Sequence, residues 1–128
     1  MISLPHPVRV FLHTPATDLR KGFDALSGLV SNAFRQDPTS GHLFLFVNRR
    51  RDRLKILYWD RDGLAIWYKR LEKGSFQLPA VAADAVSIEM SPTQLSLILS
   101  GIDLSSARQR KRYQPPTPQA EKSINMAL

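Results

Sequence analysis

Between Asn48 and Gly74 the chain runs NRRRDRLKILYWDRDGLAIWYKRLEKG, and this stretch constrains the fold more than any other. Leu54 to Trp59 and Leu64 to Leu71 are apolar-aromatic strand patterns, separated by Asp60-Arg61-Asp62-Gly63. An Asp-Gly pair between two such runs is a strong hairpin signal. The stretch carries nine Lys/Arg (49, 50, 51, 53, 55, 61, 69, 70, 73) against four acids (52, 60, 62, 72), half of the chain's 18 cations on one ribbon. With Asp62-Gly63 as a two-residue turn, Lys55 falls opposite Arg70, Trp59 opposite Ile66 and Tyr58 opposite Trp67. A one-residue slip puts Lys55 opposite Lys69. Either register makes two cations cross-strand neighbours, a mild penalty that a bound phosphate removes. Trp59, Trp67, Tyr58 and Tyr68 offer stacking surfaces for bases. Against that, buried aromatics are the norm in small domains, which weighs these side chains toward the core.

The rest of the chain supplies partners for this hairpin. Val8 to His13 (VRVFLH) reads as a short strand and His42 to Val47 (HLFLFV) as one buried on both faces. From Asp18 to about Phe34, Leu19, Phe23, Leu26, Val30 and Phe34 recur at the spacing of one helical face, behind Thr17 as N-cap. Gly22 and Gly28 weaken that helix by roughly 1 kcal/mol each relative to Ala. Gln36 to Gly41 is a loop by composition, and Phe76 to Leu78 reads as a short edge piece. Val86 to Met90 alternates like a strand. Ser91-Pro92 then opens a short helix lined by Leu95, Ile98, Leu99 and Ile102, with Gly101 as its stop. The expected fold class is α+β: a mostly antiparallel sheet of four to six strands, one long amphipathic helix on a face and a short C-terminal helix. The expected organisation is a single domain over 1–103 and a flexible basic tail over 104–128, which holds five Lys/Arg against one Glu and three prolines.

Charge and composition narrow the function classes. A formal charge of +7 over 128 residues raises the prior for nucleic acid or an acidic partner. With no cysteine, disulfides and Cys-based zinc sites are excluded. The N-terminus MISLPHPVRV lacks a signal-peptide pattern, and no window approaches the roughly 18 apolar residues of a membrane span, so a cytoplasmic protein is the default. Asp18 and Asp24 fall on different helical faces, and Asp60 and Asp62 belong to a turn that favours Asp for backbone reasons. His6, His13 and His42 show no metal-ligand spacing. There is no Gly-rich phosphate loop and no nucleophile elbow. The expectation is a protein without enzymatic activity, metal or cofactor.

Three groups of cations are candidates for nucleic-acid contact. Arg49, Arg50, Arg51 and Arg53 sit at a strand junction, where a turn lets consecutive arginines splay around one anion. Lys55, Lys69 and Arg70 lie on the hairpin. Arg108, Arg110, Lys111 and Arg112, with Tyr113 beside them, stand in the tail. The bland reading of each group is a solvated surface; phosphate contact instead predicts salt-dependent affinity.

The order of short motifs points further. Thr17-Asp18-Leu19-Arg20-Lys21-Gly22-Phe23-Asp24, Asp37-Pro38-Thr39-Ser40-Gly41-His42-Leu43-Phe44, Asp52-Arg53-Leu54-Lys55 with Tyr58-Trp59-Asp60, Lys69-Arg70-Leu71-Glu72 and Gly101-Ile102-Asp103 follow one another. Together they resemble the TnpB (second reading frame) accessory proteins of IS66-type insertion sequences, which are unrelated to the RNA-guided nuclease that shares the name. The resemblance runs from Met1 to about Leu104. It departs from the family pattern in the turn after Val47, where Asn48 and Arg51 replace glycines, and at Leu78 and Leu104, where tryptophan is usual. The resemblance implies an accessory role in transposition beside a separate transposase, and it brings no catalytic residues.

The leading expectation is a non-catalytic transposition accessory protein that binds DNA through the basic hairpin surface. The alternative is a protein–protein adaptor that docks on the transposase or self-associates by a sheet edge. A metal-dependent nuclease is the least supported. Expected partners are DNA and the transposase of the same element, with no membrane and with homo-oligomerisation left open.

Overall fold

The apolar run HLFLFV settles at the centre of a five-stranded sheet. In the computed structural model, which describes residues 7–101, the elements are β1 (Val10–His13), α1 (Phe23–Asn32), β2 (Leu43–Val47), β3 (Arg53–Asp60), β4 (Gly63–Arg70), β5 (Ser87–Met90) and α2 (Pro92–Ser100). The strand order is β4-β3-β2-β1-β5. Side chains alternate across a strand, so β2 feeds two cores at once. Phe44 and Phe46 join Phe11, Leu19, Leu26, Val30, Phe34 and Leu57 under α1. Leu45 and Val47 join Val10, Leu12, Leu54, Ile56, Phe76, Met90, Leu95 and Ile98 under α2. Burying each such side chain contributes about 1.5–3 kcal/mol. No described helix is long and apolar enough to cross a membrane.

Two expectations about the fold class are corrected. The sheet is mixed, because β1 and β2 pair in parallel with Val10 beside Leu43, Phe11 beside Phe44 and Leu12 beside Leu45. Parallel neighbours need a crossover, and α1 supplies it, making β1-α1-β2 a βαβ unit. The β1–β5, β2–β3 and β3–β4 pairs are antiparallel, and the fold overall is α+β.

The long helix expected over 18–34 is a ten-residue helix capped by Gly22. Thr17 is buried, and its N–H donates to the Val47 carbonyl at 2.9 Å instead of opening a helix. Residues 18–21 form a turn in which the Lys21 N–H donates to the Asp18 carbonyl at 3.2 Å. Leu19 reaches the same core as Leu26 and Val30 from this turn, so apolar spacing continues where the helix does not. At the far end the Gln36 N–H donates to the Val30 carbonyl, and Arg35 takes a left-handed φ of 57°. A left-handed residue just past the last turn commonly accompanies the end of a helix.

The hairpin takes neither expected register. Arg61 and Asp62 form the turn, Gly63 lies in β4 opposite Asp60, and Arg61 has a φ of 60°. Leu57 therefore faces Ile66 and Trp59 faces Leu64, apolar against apolar, while Lys55 faces Tyr68. The cation pair moves to Arg53 and Arg70 at the open end, where Arg70 also holds Glu72 at 2.8 Å. Phe76 to Leu78 adds no strand; Phe76 is a core side chain whose N–H donates to the Arg51 carbonyl. The expected tail, 104–128, lies outside the described residues.

Candidate functional site

The carboxyl ends of β1 and β2, the start of β3 and the last residues of β4 meet at one end of the sheet. There the loop from β1 to α1 crosses the end of β2, fixed by the hydrogen bond from Thr17 to Val47. Beside it the turn from β2 to β3 is organised by Asn48. The Asn48 side-chain oxygen accepts from the N–H groups of Asp52 and Arg53 at 3.1 and 3.0 Å, and its amide donates to the Asp52 carboxylate at 2.7 Å. The turn's carbonyls are engaged as well: Asp52 accepts from Leu71 N–H and Arg51 from Phe76 N–H, both at 2.7 Å. A side-chain amide closing a turn in this way is a local substitute for the sheet ladder.

Between this turn and the loop lies a cleft of about 560 Å³. Its walls are Ala16 to Arg20 on one side and Asn48, Arg49, Arg50, Asp52 and Arg53 on the other, with Tyr68 of β4 completing it. Lys55 stands next to it, opposite Tyr68. Its ammonium donates to the Lys21 carbonyl at 2.9 Å and lies 4.9 Å from the Tyr68 ring centroid.

The two carboxylates in the cleft are already engaged. Asp18 accepts from the Arg20 guanidinium at 2.6–3.0 Å and from the Arg20 N–H at 3.0 Å. The Arg20 side-chain bonds, then its backbone N–H, hold the Asp18 carboxyl well below the usual carboxylate range. Asp52 is held by Asn48. Three ion pairs occur among the described residues: Arg9–Glu89, Arg20–Asp18 and Arg70–Glu72. None involves Arg49, Arg50, Arg51, Arg53 or Lys55. Arg20 offsets Asp18, and the single charge of Asp52 is outnumbered by Arg49, Arg50 and Arg53, so the cleft carries a net positive charge.

Residues 8–109 match the IS66 Orf2-like protein family. The chain belongs to that family. It is similar to two proteins of Sinorhizobium fredii (strain NBRC 101917 / NGR234), the uncharacterized proteins y4jC and y4hO. Identity to y4jC is 37% over 117 residues, covering 91% of this chain and 97% of y4jC. Identity to y4hO is 41% over 103 residues, covering 80% of this chain and 88% of y4hO. No solved structure matches the chain. Membership in the IS66 Orf2-like family assigns the chain to insertion-sequence transposition.

The segments that carried the resemblance meet in space. Residues 17–20 of the first motif form one wall of the cleft, and Asp52 and Arg53 of the third form part of the other. Of the expected DNA contacts, Arg49, Arg50 and Arg53 line the cleft, and Lys55 and Arg70 stand on the same face of the hairpin. Arg51 is not among the walls; it takes a φ of 61°, the left-handed conformation that glycine adopts freely, at a turn where the family pattern carries glycines. Lys69 points to the opposite face, where its ammonium donates to the Leu99 carbonyl of α2 at 3.4 Å. The hairpin cations thus divide between two surfaces. Arg108, Arg110, Lys111 and Arg112 lie outside the described residues.

Two of the four hairpin aromatics depart from the core expectation, while Tyr58 packs against the α2-side core. Trp67 and Tyr68 are 40% and 48% exposed, and Tyr58 and Trp59 are half-buried. Sequence patterns alone miss Arg20 and Asn48 as parts of the site, and they offer Tyr68 only as one of four aromatics able to stack on bases. Helical spacing puts Arg20 on the outer face of a helix that does not extend to it. The signal for Asn48 is an amide followed at i+4 by Asp. Tyr68 requires the register that puts it beside Lys55.

Proposed function

We propose that the chain is a non-catalytic accessory protein of transposition that binds DNA along the phosphate backbone at this cleft. The observation that carries the reading is the convergence of Arg49, Arg50 and Arg53 with Lys55 close by, around two carboxylates that are already bonded. Guanidinium groups match phosphate oxygens in a two-pronged geometry, and a turn tied by Asn48 holds their backbone in place before binding. Each phosphate neutralised releases counterions, so log K falls with log[salt] at a slope near −0.9 per contact.

Titrating purified protein against duplex DNA from an element end, at several salt concentrations, tests this. Three to four contacts predict a slope of about −3. Absence of binding to both the duplex and its separated strands at low salt, or affinity indifferent to salt, overturns the reading. Incubation of the same DNA with magnesium or manganese is expected to leave it intact; cleavage overturns the non-catalytic part.

One observation favours a second reading. β4 is the outermost strand of the sheet and eight residues long, so one row of its N–H and C=O groups faces outward beside exposed Trp67. Such an edge accepts an added strand from another protein. An adaptor of this kind captures the transposase equally well after charge reversal at Arg49, Arg50 and Arg53, whereas the DNA-binding reading requires loss of DNA affinity in the same variant.

A further inference from the structure

On the α1-facing side of β4, Leu64, Ile66, Tyr68 and Arg70 follow one another. Leu64 and Ile66 pack against the core beneath α1, but Tyr68 does not. The ten-residue helix ends its cover before reaching it. Tyr68 is left 48% exposed in the wall of a cationic cleft. Its sheet neighbour is Lys55 on β3, with the ammonium 4.9 Å from the ring centroid, and its hydroxyl lies 3.5 Å from the Arg53 guanidinium. Because β4 is the edge strand, no strand among the described residues stands on the ring's other side.

A surface meant only for duplex phosphates needs cations and hydrogen-bond donors. An exposed ring among them adds nothing to that contact, because in a duplex the base faces are stacked on one another and only their edges are open in the grooves. A ring interleaved with arginines is the arrangement that takes an unpaired base, whose π-face is free, while its phosphates sit on the cations. A volume of about 560 Å³ lies within the range of small-ligand clefts and suits a nucleotide better than a double helix.

We propose that the cleft seats an unpaired nucleotide of a DNA strand, with its base on Tyr68 and its neighbouring phosphates on Arg49, Arg50 and Arg53. The proposal rests on the DNA-binding reading and narrows it from duplex to single strand at this site. Tyr68 orders the strand by stacking, and Lys55 and Arg53 hold the ring in place through contacts at its face and hydroxyl.

The test is fluorescence anisotropy with a labelled single strand of about 12 nucleotides, within the site sizes of single-strand binders, and a blunt duplex of the same length in the same buffer. The single strand is expected to bind at least about ten-fold tighter. Tyr68→Leu is expected to lose about ten-fold for the single strand and leave the duplex unchanged, and Tyr68→Trp to retain single-strand affinity. Thermal unfolding of both variants, at a half-exposed position, checks that the fold is intact. Equal affinity for the two forms, or no loss in Tyr68→Leu, overturns the proposal. Salt-sensitive duplex binding without single-strand preference overturns this inference alone; failure of both forms to bind overturns the DNA-binding reading as well.

Discussion

The two faces of the β3–β4 hairpin come from the same sixteen residues and have opposite fates. The α2-facing side carries Leu54, Ile56 and Tyr58 with Trp67 and Lys69. It is covered by α2 and by the segment that brings in Leu71, Phe76 and Leu78, except at Trp67, which stays 40% exposed on the edge strand, and its cation is tied to the Leu99 carbonyl. The α1-facing side begins in the same way, with Leu57, Leu64 and Ile66 under the helix, but Arg53, Lys55, Tyr68 and Arg70 continue past the helix into the open. A short helix over a longer hairpin leaves a ledge, and the ledge is where the unpaired charge collects. Strand alternation decides which residues share a face; the length of the helix decides which part of that face is a core and which part a surface.

The largest test of this contrast is a truncation on the closed side. Leu54 is fully buried, and Leu54→Ala is expected to destabilise the protein by about 2–5 kcal/mol, read from chemical denaturation. Lys55→Ala, one residue along and on the ledge, is expected to cost under about 1 kcal/mol. Similar losses at both positions would mean that the ledge is part of the core.

Next in size is the effect on binding. Arg50→Glu with Arg53→Glu is expected to weaken DNA affinity by well over ten-fold and to reduce the salt slope by about one for each phosphate that is no longer neutralised. Lys69→Glu, on the closed side, makes the same kind of charge change on the same hairpin and is expected to leave the slope unaltered. Equal effects from the two sides would show that overall charge matters and the cleft does not.

Much of this contrast is legible in the sequence, for reasons that can be named. Strand patterns at 43–47, 54–59 and 64–70 are plain because alternating or continuous apolar runs report burial directly. The parallel pairing of β1 and β2 is not, although a strand, a helix and a strand within some 40 residues is the outline of a βαβ unit. The helix reads too long because Leu19 keeps helical spacing from a turn. Turn preference sets the hairpin register on Asp62-Gly63, whereas opposing Leu57 to Ile66 and Trp59 to Leu64 moves the turn to Arg61-Asp62. Arg49, Arg50 and Arg53 stand out as cations, but nothing in the sequence tells that residues 16–20 come to face them. That convergence is held by the backbone hydrogen bond from Thr17 to Val47, by Leu19 in the core and by Lys55 donating to the Lys21 carbonyl.

A smaller effect separates charge from position within the turn itself. Arg51 is a side chain held at a φ of 61°, a conformation that costs a non-glycine residue roughly 1–2 kcal/mol. Arg51→Gly relieves that strain while adding chain entropy to the unfolded state, so a net gain of up to about 1 kcal/mol is expected in denaturation. Because Arg51 is outside the cleft walls, DNA affinity is expected to change far less than in Arg50→Gly. A loss of affinity as large as that of Arg50→Gly would place Arg51 in the contact surface and spread the site around the whole turn.

The smallest effect concerns the loop that brings Asp18 and Arg20 to the cleft. His13 is buried against Phe34 and Phe46, with Nδ1 3.3 Å from the Thr17 hydroxyl. Burial, only partly opposed by a hydrogen bond to the Pro15 carbonyl, pushes its pKa below the ordinary value. The unfolded chain then binds more protons than the folded one across this window. The stability it contributes is complete above the unfolded pKa of about 6.5 and is lost as pH falls through the lower folded value. The lowered carboxyl groups of Asp18, Asp37 and Glu89 act by the same sign but only below about pH 5, so they fall outside the pH 7 to 5 window. Denaturation midpoints between pH 7 and pH 5 are expected to fall in the parent and to flatten in His13→Gln. A decline that persists in His13→Gln would assign the pH dependence elsewhere and leave the Thr17 loop, and with it that wall of the cleft, insensitive to this proton.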